Sequence, residues 1–312
     1  MSLLQGLPRR RLLHCLLAAS LAGFCLPAIP AASRPVVVAT FSILGDLAAR
    51  IGGDRIELHV LVGPDSDGHM YQPTPADSRL LGTAALVITN GMGFEGWMQR
   101  LVTASGYAGN VVTASNGIEP LFTGEGRERE PDPHAWQSLA NIRLYIANIV
   151  TGLAAVAPAD AGYFSANAAI LLNDIDLLEH ELLTAMATLP PERRTVVTSH
   201  DAFAYFGVAY GLSFVAPVGI NTDSEASAKD VAALIRQIHA EHIAAVFVEN
   251  ITDPRLLERI AAETGASRGG TLFSDALSAA DGPAGTYLDM MRHNIHTLVR
   301  ALGAASPTRS FP

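Results

Sequence analysis

The middle of the chain is nearly free of helix breakers, and this limits the folds available to it more than any other feature. Between positions 160 and 189 there is no glycine after Gly162 and no proline until Pro190, while Phe164, Leu171, Ile175, Leu178, Leu182 and Leu189 fall close to one helical stripe. The spacing predicts a single long helix. At 1.5 Å per residue it would run about 45 Å, enough to pass along two lobes as a stiff spine. A broken pair of helices is the alternative.

The flanking segments read alike. A β-branched run at 36–39 precedes helical spacing at Ile43, Leu44, Leu47 and Ile51, and the same unit returns at 195–198 followed by 202–210. Related apolar runs stand at 85–88 and 244–248. Short buried strands alternating with helices indicate βα units and mostly parallel sheets. The expected fold is therefore α/β, with two lobes, each a mostly parallel sheet flanked by helices, joined by the spine. The expected boundaries are 1–32 for a signal peptide, 33–157 for the N-terminal lobe, 158–190 for the linking helix and 191–312 for the C-terminal lobe. The glycine-, proline- and charge-rich stretch 121–133 reads as an exposed loop.

The signal assignment rests on Arg9, Arg10 and Arg11 ahead of an apolar stretch at 12–26, which ends in small residues at 28–33. His14, Ser20, Gly23 and Pro27 interrupt that stretch, which argues against a membrane span. The arginines also fit a twin-arginine signal loosely, so the export route stays open. Phe24 before Cys25 argues against lipid attachment there. Both cysteines, Cys15 and Cys25, lie in the signal, so a metal in the mature protein must be held by His, Asp or Glu. Loss of three signal arginines moves the formal charge from −9 to −12, which disfavours nucleic acid as a partner and suits a cation. A soluble, periplasmic monomer is the expectation.

Four side chains carry the chemistry. His69 follows the strand expected at 57–62 and precedes Thr74-Pro75-Ala76-Asp77, which reads as a capped helix start. His134 lies in a proline-punctuated loop, while His200 and Asp275 follow the runs at 195–199 and 270–273. Loops beyond the carboxyl ends of parallel strands line the ligand crevice of open α/β sheets, so four groups far apart in sequence can converge there. Three imidazoles and one carboxylate make a tetrahedral shell suited to one Zn²⁺, whereas Mn²⁺ favours more oxygen donors.

Other residues compete with this set. His239 with His242, and His293 with His296, are spaced to share a helix face, though solvated surface accounts for them as well. Glu249 could reach the crevice or cap a loop. Asp65 and Asp67 could add negative potential near His69 or bond to a ligand imidazole. His59 reads as structural.

The motifs GHMYQPTPAD at 68–77, DPHAW at 132–136, HDAFAYF at 200–206, SDAL at 274–277 and YLDMMRHN at 287–294 resemble the TroA-like (cluster A-I) zinc and manganese solute-binding proteins of ABC transporters. The resemblance covers essentially the whole mature chain and is closest to the AztC type. It implies His69, His134, His200 and Asp275 as metal ligands. A histidine at the third place resembles the zinc receptors, since manganese receptors usually carry Glu there. The resemblance further implies high-affinity zinc uptake through an ABC permease in the inner membrane, with a periplasmic zinc metallochaperone as a delivery partner. The His-rich loop of many zinc members is missing, for 121–133 offers acids and no histidine before the ligand motif. An exported zinc hydrolase is the rival, but a fourth protein ligand would close the water position, and neither His-Glu-x-x-His nor Gly-x-Ser-x-Gly occurs. A docking module stiffened by metal is a second rival.

Overall fold

The computed structural model describes residues 33–124 and 129–303. The predicted signal at 1–32 lies outside the described residues. From the N-terminus the first half runs β1 (Val36–Phe41), α1 (Ser42–Gly52), β2 (Glu57–Val62), α2 (Pro75–Thr83), β3 (Leu86–Thr89), α3 (Met98–Ser105) and β4 (Asn110–Thr113). A short antiparallel pair, β5 (Phe122–Thr123) and β6 (Glu130–Pro131), comes next, then α4 (Leu139–Val156) and α5 (Ala161–Ala187). The second half is β7 (Thr195–Val197), α6 (Ala204–Tyr210), β8 (Ser213–Val215), α7 (Ala228–Glu241), β9 (Ala245–Glu249), α8 (Arg255–Thr264), β10 (Ser267–Leu272) and α9 (Tyr287–Gly303).

Both four-stranded sheets are parallel throughout, in the orders β2-β1-β3-β4 and β8-β7-β9-β10. Each strand of the first half thus has a counterpart in the second. The strand order reverses between β1 and β3, and again between β7 and β9. Ligands bind beside such reversal points in parallel α/β sheets, at the carboxyl ends of the strands.

The long helix is α5, 27 residues or about 40 Å. Its buried stripe of Phe164, Ala168, Leu171, Ile175, Leu178, Leu182 and Met186 packs on α1 and α4 from the first half and on α6 and α9 from the second. One hydrophobic core therefore runs unbroken from Val37 and Ile88 through Leu178 to Phe247 and Leu298. A smaller cluster around Val197, Leu234, Val246 and Leu257 fills the far face of the second sheet. Helix α4 lies tightly on the first sheet at Gly152, where an added Cβ would stand 2.4 Å from Val112 Cγ2.

Two expectations need correction. The stretch 121–133 carries the β5–β6 pair rather than plain loop, and its end is buried, with Asp132 at 2% exposure. His242 is not on a helix face beside His239. It is the left-handed residue that ends α7.

Candidate metal centre

Each of the four predicted side chains is placed by a local device. After β2, the chain turns through Asp67, whose Oδ1 accepts from the backbone N–H of His69 at 2.8 Å and of Met70 at 3.3 Å. Trp97 Nε1 donates to the Gly68 carbonyl at 2.8 Å, and the His69 ring leans edge-on against Phe94, with centroids 4.6 Å apart. The helix that follows begins with the expected cap: Thr74 and Asp77 form a reciprocal capping box with Pro75 in the first turn. In the next loop Asp132 Oδ1 accepts from both the backbone N–H of His134, at 2.9 Å, and its ring Nδ1–H, at 2.7 Å.

His200 stands three residues beyond β7, where Glu249 at the end of β9 holds it. Glu249 Oε1 accepts from the His200 backbone N–H at 2.9 Å. Its Oε2 is 2.6 Å from ring Nδ1, a charge-assisted contact in distance, although the two atoms are not aligned as a good hydrogen bond. Asp275 stands three residues beyond β10. Its loop is fixed across the halves: Trp136 Nε1 and Gln137 Nε2 both donate to the Ser274 carbonyl at 2.8 Å, and Leu277 N–H donates to Ser42 Oγ at 3.0 Å.

The four side chains meet. Their donor atoms all lie within 4.8 Å of one another. His69 Nε2 is 3.2 Å from His134 Nε2 and 3.4 Å from Asp275 Oδ2, His134 Nε2 is 3.6 Å from Asp275 Oδ1, and His200 Nε2 is 3.2 Å from Asp275 Oδ2. His134, His200 and Asp275 are fully buried. Both Asp275 oxygens and His200 Nε2 are buried without any hydrogen-bond partner. Leaving a buried polar group unpaired costs about 1–3 kcal/mol, so three such atoms aimed at one point are explained by a cation that satisfies them together.

The electrostatics agree. Burial by itself would raise the Asp275 pKa, yet His200 and His134 beside it hold the carboxyl well below its usual range. Burial likewise opposes charge on His200, but Glu249 and Asp275 outweigh it and lift the imidazole well above its ordinary value.

The competing residues are elsewhere. His59 is 3.2 Å from Glu57 at an exposed position, His293 Nε2 lies 3.0 Å from the Thr271 carbonyl, and His296 pairs with Glu181 at 3.1 Å. Asp67 bonds to backbone and to the Thr222 hydroxyl, at 2.6 Å, and not to a ligand ring. Asp65 takes a hydrogen bond from Asn250 at 2.9 Å. The ring partners are Asp132, which sequence reasoning missed, and Glu249, which does both things expected of it. An Asp two residues ahead of a histidine across a proline was the available signal for the first.

The sequence profile described as "Zinc-uptake complex component A periplasmic" matches residues 37–301. The chain belongs to this family. Among the curated relatives of this zinc-uptake receptor family member are the manganese-binding lipoprotein MntA of Halalkalibacterium halodurans, 33% identical over 85% of this chain and 88% of that one, and the iron-binding protein YfeA of Yersinia pestis, 34% identical over 86% of each. Among solved structures, the periplasmic zinc binding protein TroA from Treponema pallidum is 32% identical with a TM-score of 0.82, covering 86% of this chain and 99% of that one. A manganese-bound periplasmic metal binding protein from Candidatus Liberibacter asiaticus is 32% identical with a TM-score of 0.78, again over 86% of this chain and 99% of that one. The family member described here is thus the substrate-binding protein of a metal ABC transporter, which works outside the cytoplasm with a membrane permease and its ATPase. It is not an enzyme, and the hydrolase reading is set aside.

Proposed function

We propose that this receptor captures one Zn²⁺ per chain between its two halves, through His69, His134, His200 and Asp275, and delivers it to its permease as a monomer. The observation that carries the reading is the donor set and its spacing. A tetrahedral zinc with bonds of about 2.0–2.1 Å needs ligand atoms about 3.3–3.4 Å apart. With Asp275 Oδ2 as the fourth ligand atom, three of the separations fall between 3.2 and 3.4 Å. Three nitrogens with a single carboxylate favour zinc over manganese, which prefers octahedral, oxygen-rich shells. Relatives carry manganese and iron in their names, so the choice of metal is the point to test. Metal-free protein titrated with Zn²⁺, Mn²⁺ and Fe²⁺ against competing chelators is expected to prefer zinc. Tight Mn²⁺ or Fe²⁺ binding with negligible zinc affinity would reject the assignment. In the same assay His200→Ala is expected to lose far more affinity than His239→Ala, and equal losses would reject the ligand set.

A further inference from the structure

The three imidazoles are not equivalent. His134 is pinned through Nδ1 by Asp132, and His200 is flanked at Nδ1 by Glu249. Among the described residues nothing hydrogen-bonds to His69 Nδ1. Away from the other ligands its ring is kept in place by an edge-on contact with Phe94, which a turn about its own side-chain bonds can give up without breaking a hydrogen bond at Nδ1. A metal-bound histidine without an outer partner is the less firmly oriented ligand.

His69 is also the wall between the centre and a small cavity. That cavity, about 150 Å³, is lined by His69, Met92, Gly93, Glu130, Pro131, Pro133, Ile220 and Asn221. At about 30 Å³ per water it holds roughly five, enough for an ion that has shed part of its hydration shell. Glu130, Gly93 and Asn221 are exposed at its rim, while Ile220 and Pro133 are buried deeper. One wall is strained: Met92 adopts φ +54, between Gly91 at φ +88 and Gly93 at φ +87. The turn is nonetheless held, because the buried Glu95 carboxylate accepts from Asn90 N–H at 2.6 Å and Gly91 N–H at 3.2 Å. Left-handed backbone at a non-glycine residue is costly and is kept where surrounding structure imposes it, often at functional sites. Here it sets the Met92 side chain against the cavity, with its sulfur 3.9 Å from the Tyr205 hydroxyl.

A larger cavity of about 690 Å³ reaches the centre on the His200 side. An ion leaving that way would have to pass the braced ligand. Asp67 and Thr222, joined at 2.6 Å, both line it and tie the His69 loop to the 217–226 segment on that side.

We infer that the ion enters and leaves through the small cavity beside Met92, Ile220 and Asn221, with His69 as the ligand that lets go first, while His134 and His200 stay anchored. The inference rests on the metal reading above. The test is stopped-flow measurement of Zn²⁺ association, and of dissociation into a chromophoric chelator, on the mature chain. A gate changes both rates together and leaves the equilibrium alone. Asn221→Trp, which narrows the rim, is expected to slow association and dissociation each by about ten-fold with Kd nearly constant, and Met92→Ala to speed both. Ser224→Trp, on the larger cavity, is expected to leave both rates unchanged. Slowing by Ser224→Trp without slowing by Asn221→Trp would overturn the route, as would unchanged rates in both Asn221→Trp and Met92→Ala. Absence of tight zinc binding in the parent protein would instead refute the metal assignment, so the two failures are distinguishable.

Discussion

Replacing Glu249 with Gln tests how much the centre depends on a residue that never touches the ion. Glu249 is 2% exposed, and both of its oxygens are engaged by His200, one by the backbone N–H and the other beside ring Nδ1. Glutamine has nearly the same shape and keeps the backbone bond through its amide oxygen. Its NH₂ group, however, would face Nδ1. The ring must then offer a lone pair there and carry its proton on Nε2, the atom aimed at the metal. Either the wrong tautomer is imposed or the contact at Nδ1 is lost. Loss of such an outer partner costs about 10–100-fold in metal affinity, or about 1.4–2.8 kcal/mol. Competition with a chromophoric chelator measures it directly, and thermal melting of the metal-free variant checks that the fold is intact. A zinc affinity within about two-fold of the parent, with an intact melt, would refute the argument that Glu249 sets the His200 tautomer.

Two further outcomes are expected. The raised His200 pKa contributes stability to the metal-free protein below the ordinary imidazole value of 6.5, and that stability is lost as pH rises through the raised folded value. The depressed Asp275 pKa contributes stability above its ordinary 3.8, lost only as pH falls toward its folded value. Zinc needs deprotonated rings, so its grip strengthens with pH while the metal-free protein weakens, and the zinc-induced rise in Tm should be larger at pH 8 than at pH 6; an equal or smaller rise at pH 8 would contradict this. Gly152→Ala should destabilise the protein in a denaturant titration, because the new methyl meets Val112 Cγ2 at 2.4 Å, whereas helix propensity alone predicts a gain of up to about 1 kcal/mol; a measured gain would show that α4 can lift off the sheet at little cost.

Much of this was legible in the chain itself. The breaker-free run pointed to the spine because an apolar stripe sustained over seven turns at helical spacing fits neither a strand nor a loop, and the helix stops near Pro190 for the reason a proline implies. His69, His134, His200 and Asp275 were readable because each follows an apolar run or a proline-marked loop, and strand ends converge in parallel sheets. Asp132 and Glu249 were harder, since hydrogen bonds to a ring nitrogen depend on side-chain direction, and for Glu249 the partner lies 49 positions away. The β5–β6 pair escaped because two-residue strands carry no periodicity to read. The fate of His242 turned on one left-handed residue at a helix end, a conformation that histidine only occasionally adopts.

The matching strand orders of the two sheets have a consequence for how the cargo is owned. His200 follows β7 and Asp275 follows β10, but in the first half His69 follows β2, the counterpart of β8, and His134 follows the β5–β6 pair, which has no counterpart among the described residues of the second half. The two halves therefore carry their ligands at different points of a shared strand order. Each half supplies two of the four candidate ligands, so a fragment cut at the spine would keep only two of them and could not close a four-coordinate shell.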